Sequence, residues 1–82
     1  MSHTPNELAE LFPQDHALLH QLKLEHAHFA QLADRYHDLN REIHRIESDI
    51  EPASDERLEA LKKDRLHLSD QIAALLAEAR GA

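Results

Sequence analysis

Eight histidines stand among the 82 residues of this chain, and there is no cysteine. Histidine titrates nearest neutrality and is the commonest metal ligand. His16 and His20 are four apart, so on a helix both rings share one face and suit two ligand positions of a divalent cation. A stable site needs three or four converging ligands, and the nearby Asp15 is not at a matching helical spacing. The expectation is therefore solvated histidines, with no metal and no cofactor. His37 and His44 share a face but stand two turns apart, too far to chelate together. His28 is expected to pair with Glu78 on a second helix. Protonating all eight rings would move the net charge from −7 to +1, which predicts association that changes between about pH 7 and pH 5.

The second chemistry-bearing cluster is cationic. Lys62, Lys63 and Arg65 lie in "LKKDRLHLSDQI", the densest basic run in the chain. Lys62 and Lys63 should point outward, a candidate basic patch for an outside partner. Arg65 falls on the apolar stripe of its helix. There its aliphatic stem can cover the seam while the guanidinium reaches carboxylates at the edge. We read it as a register-setting polar residue, by analogy with polar core positions of coiled coils. No nucleophile–base pair, glycine-rich phosphate loop or pocket-forming topology is legible, so the chain is not read as an enzyme.

These residues need elements to hold them. One glycine, three prolines, 30% charged and 41% hydrophobic content with 4% aromatic make a long-helix composition. The chain is a single small domain. Residues 1–13 read as a short helical segment, with Thr4 as N-cap, Pro5 in the first turn and Glu7 as capping-box partner. Pro13 breaks it by forcing Phe12 out of helical geometry. A long helix is predicted over about 14–50, with apolar residues alternating at three and four and one gap at Glu25. Pro52 closes it, and the turn covers about 51–54. Ser54 should cap a second helix, about 55–80, with Asp55 and Glu56 in its first turn and Gly81 as its stop.

Two amphipathic helices joined so briefly fold back on each other. The fold class is all-α: a long antiparallel coiled-coil helical hairpin with a short N-terminal helix. Pairing positions that sum to roughly 104 predicts a core of Phe29, Leu32, Tyr36, Leu39, Ile43 and Ile46 against Leu58, Leu61, Leu68, Ile72 and Leu75. Arg65 then faces Leu39, flanked by Asp38 and Glu42. Asp49 lies near Arg57, and Glu42 unfavourably near Asp64. The first arm, roughly 55 Å at 1.5 Å per residue, outruns the second, roughly 39 Å. Leu18, Leu19 and Leu22 in that overhang, with Leu8, Leu11 and Phe12, form a candidate partner or oligomer surface. The competing arrangement folds the N-terminal segment back over the hairpin as a three-helix monomer.

The chain resembles the YdcH family of small bacterial proteins, a domain-of-unknown-function family. The resemblance covers about residues 12–77. It is carried by Phe12-Pro13, Leu22-Lys23, His28-Phe29, Leu32, Tyr36, Leu39, Glu42-Ile43, Glu47, Leu61-Lys62-Lys63, Arg65-Leu66, Asp70 and Ile72. The family commonly has Lys-Asp-Glu where this chain has Ser69-Asp70-Gln71. The resemblance implies a helical hairpin and a bacterial cytosolic setting, and it implies no established activity.

The functional expectation is a non-enzymatic coiled-coil protein of the cytoplasm that self-associates, as a homo-oligomer, and presents a helical surface to an unidentified protein partner. No apolar run is long enough for a membrane span, and no signal-like segment opens the chain. The charge of −7 argues against nucleic acid. A nucleic-acid-associated regulator using Lys62, Lys63 and Arg65 is the alternative.

Overall fold

The computed structural model describes residues 6–81, and those residues are helical with no strand among them. Four helices follow in order: α1 (Leu8–Leu11), α2 (His16–Glu25), α3 (Ala27–Glu47) and α4 (Asp55–Gly81). Thr4 and Pro5 lie outside the described residues. The first described helix starts at Leu8, preceded by Glu7 in extended backbone. It ends before Pro13, with Phe12 at φ −126° and ψ 64°, since a residue before proline is driven from helical geometry.

The expected continuous helix over 14–50 is not formed. It breaks at His26, whose backbone is extended at φ −122° and ψ 100°. The ring caps the new helix: Phe29 N–H donates to His26 Nδ1 at 3.1 Å. The break turns α2 back against both α3 and α4. A straight helix would have left Leu18, Leu19 and Leu22 in water. The turn instead buries Leu19 and half-buries the other two. Interrupting a helix forfeits a few backbone hydrogen bonds, each worth about 0.5–1.5 kcal/mol net. Full burial of one leucine contributes about 1.5–3 kcal/mol, and α1 buries Leu8 as well. Apolar burial therefore outweighs helix continuity.

α3 also stops short of the expected Ile50. Asp49 takes left-handed backbone at φ 61°, which aspartate tolerates better than most side chains. Asp49 N–H donates to Ile46 O at 3.2 Å, and Ile50 N–H donates to Arg45 O at 2.9 Å. This is the paired terminal bonding of a Schellman motif. Ile50 leaves the seam and stands 71% exposed in the turn. Ser54 then caps α4: Arg57 N–H donates to Ser54 Oγ at 3.1 Å.

The core joins the start of α3 to the end of α4. Phe29, Leu32, Ala33 and Tyr36 cluster with Leu68, Ile72 and Leu76, and the arm adds Leu8 and Leu19. Ile43 and Ile46 are buried nearer the turn. Leu39, Leu58, Leu61 and Leu75 are half-buried. On α4 the residue fully buried beside Ile72 is Leu76 rather than Leu75. α2 packs beside α4 as well as α3, so the buried stripe of α4 is wider than one seam. The molecule measures 43 × 28 × 19 Å, and its long axis matches a 27-residue helix of about 40 Å.

Candidate functional site

The residues expected to form an open apolar edge are mostly inside. Leu8 is 2% exposed and Leu19 5% exposed, and Phe12, Leu18 and Leu22 pack against the same core. Of the six, Leu11 alone stays substantially in water, at 42%. The expected overhang is not formed, because α1 and α2 fold over α3 and α4 and pack five of the six against the core.

Polar contacts from α3 and α4 hold that arm down. Tyr36 is buried, and its hydroxyl donates to Asn6 O at 2.6 Å. Asn6 reaches it from left-handed backbone, φ 62°. Burial pushes the Tyr36 hydroxyl above its ordinary range; Arg65 opposes this, and Glu7 and Glu10 add to it. His37 Nδ1 lies 2.8 Å from Glu7 Oε2. Within the arm, His16 Nε2 donates to Ala9 O at 3.0 Å, joining α2 to α1. At the far end, buried Asp15 accepts from Arg80 at 3.2 Å, tying the start of α2 to the end of α4.

Three histidines thus act as local structural contacts. His16 and His20 line one groove with Glu7, Lys23 and His37. Among the described residues no three potential ligands converge on a metal position. His28 is exposed, and it is His26 that lines a groove with Glu78.

Arg65 also differs from expectation. It donates from Nη1 to Asn40 Oδ1 at 2.9 Å, and Asn40 is 1% exposed. Asp38 and Glu42 are engaged elsewhere: Asp38 with Arg41 at 2.8 Å, Glu42 with Arg57. The Arg57–Glu42 pair replaces the expected Asp49–Arg57 one and relieves the repulsion between Glu42 and Asp64, which share a groove. Asn40 was not singled out in sequence, because one polar residue beside Leu39 breaks no three–four pattern.

In the basic cluster, one of the three cations holds a carboxylate. Lys62 pairs with Glu47 at 3.2 Å and Arg45 with Glu51 at 3.3 Å. Lys63 is exposed. Lys62, Arg65 and Ser69 line a shallow cleft between α4 and the arm, together with Asn6, Leu11, Tyr36 and Leu66. Leu66 is 58% exposed there. Among the described residues no helix is long and apolar enough to cross a membrane.

No curated protein and no solved structure matches this chain. A family model described as "Protein of unknown function (DUF465)" matches residues 29–76, covering α3, the turn and most of α4. More than half of the chain lies within that match, and the chain belongs to the DUF465 family.

Proposed function

We propose that this chain is a small non-enzymatic protein that self-associates and presents a helical surface to other proteins. In this reading α3 and α4 act as an antiparallel coiled-coil hairpin, and the setting is the bacterial cytoplasm of YdcH-like proteins. The observation that carries it is a set of large apolar side chains held in water. Leu24 is 75% exposed, Ile50 71%, Leu66 58% and Leu11 42%. The core closes without them, so their exposure serves no packing need, and a partner that buries them gains apolar burial at each. The contact surface moves from the buried leucines of the arm to Leu11 and Leu24 on its outer side, Ile50 in the turn and Leu66 on α4.

Of the three cations of the nucleic-acid alternative, Lys62 already holds a carboxylate and half-buried Arg65 is held by Asn40, which leaves Lys63 as the exposed one. Photo-cross-linking in the native cell tests the proposal. A photoreactive residue at Leu24, Ile50 or Leu66 should yield covalent protein adducts, and one at exposed Gln31 should not. Absence of adducts at all three apolar positions would overturn the reading.

A further inference from the structure

α4 carries an outward stripe that is mostly exposed. At 100° per residue, Asp55, Glu59, Lys62, Lys63 and Leu66 fall within roughly a 100° arc of its surface. Asp55, Glu59, Lys63 and Leu66 are exposed; Lys62 is half-buried and shared with Glu47. Along the axis the stripe is acidic at Asp55 and Glu59, basic at Lys62 and Lys63, apolar at Leu66 and acidic again at exposed Asp70. Laid antiparallel about a point between Glu59 and Lys63, two copies bring Glu59 of each onto Lys63 of the other.

We infer that two copies of this chain pair through this face of α4, antiparallel about a twofold axis between Glu59 and Lys63. The inference rests on the self-association reading above and names its surface. Glu59 of each copy faces Lys63 of the other, so one twofold contact makes the same ion pair twice. Leu66, with Leu11 beside it in the cleft, then lies over the second copy's α4 N-terminus. The turn carrying exposed Ile50 immediately precedes that N-terminus. Each chain carries −7, so general repulsion opposes arbitrary encounters. The two Glu59–Lys63 pairs supply the local match that opposes it.

Sedimentation velocity on the full chain tests this. Wild-type protein should shift to twice the monomer mass by concentrations on the order of 100 μM. Glu59→Lys and Lys63→Glu should each weaken association by about tenfold or more, because both copies of the ion pair become repulsive. Both positions are exposed, so circular dichroism should show unchanged helicity. Mixing the two variants one to one should restore the dimer, because each reversed residue then meets an opposite charge. Leu66→Asp should also be monomeric. A wild-type chain still monomeric on the order of 1 mM, a mixture that stays monomeric, or single reversals that dimerise like wild type would overturn the pairing. Adducts to a different protein at Leu66 with a monomeric wild type would leave the interaction reading standing and remove this dimer.

Discussion

The α1–α2 arm and the α3–α4 pair are both built on leucines, yet different forces hold them. The pair is an apolar seam interrupted by the Arg65–Asn40 bond, in which Phe29, Ile43, Ile72 and Leu76 are fully buried. The arm contributes fewer buried side chains, Leu8 and Leu19. It is fixed to the pair at points by single polar contacts: Tyr36 to Asn6, Glu7 to His37 and Asp15 to Arg80. Distributed apolar contacts fail together, whereas point contacts can be released one at a time. The pair should therefore be the stable body and the arm a latch upon it.

The largest test sets one buried residue of each region against the other. Phe29→Ala should cost about 3–5 kcal/mol, enough to lower the melting transition of the whole molecule by circular dichroism. Leu8→Ala should cost about 2–4 kcal/mol at its site, and the loss should appear as release of α1, with α3 and α4 retaining their helicity. Equal global unfolding by both would dissolve the distinction.

A smaller effect is expected within the seam. Arg65→Leu alone should destabilise by about 1–3 kcal/mol, because buried Asn40 loses a donor. Arg65→Leu with Asn40→Leu should recover that loss, since replacing both partners of a buried polar pair by apolar groups is often neutral or better. Chemical denaturation of the single and double variants gives the comparison. A double variant worse than the single would show that the pair contributes net stability.

At the hinge, His26→Ala should cost about 1 kcal/mol and His26→Asn much less, because asparagine also accepts from a helix N-terminus. Thermal unfolding followed by circular dichroism compares the two variants with wild type.

The smallest effect concerns Tyr36→Phe, about 0.5–1.5 kcal/mol from the lost bond to Asn6. Its sign with pH follows from burial, which raises the Tyr36 pKa in the folded state above 10.0. The stability this group contributes is complete below about pH 10 and is lost as pH rises beyond it. Alkaline release of the arm should be blunted in the phenylalanine variant, measured by hydrogen exchange at Leu8–Leu11.

The same contrast explains what was legible in the sequence. The break at Pro13, the cap at Ser54 and the seam from Phe29 to Ile46 follow from local chemistry and period. The arm does not. Breaking the helix at His26 needed knowledge that α4 offers a surface for Leu19, a contact distant in sequence. His26 also ranks below serine, threonine, asparagine and aspartate as a cap. Leu76 was hidden beside Leu75, because neither alone reveals that α2 widens the buried stripe. Asp49 ended α3 early through left-handed backbone usually supplied by glycine. On the candidate surface, exposed Leu66 was visible only as a residue off the seam. Its cleft with Leu11 required the arm to be folded back.

Native-state hydrogen exchange on the full chain measures the central claim most directly. Amides of Leu32–Ile43 and Leu68–Leu76 should open only with global unfolding, while those of α1 and α2 should exchange through a lower-energy opening. Leu8→Ala should lower protection in the arm alone. Uniform protection across all four helices, falling everywhere in Leu8→Ala, would contradict the account.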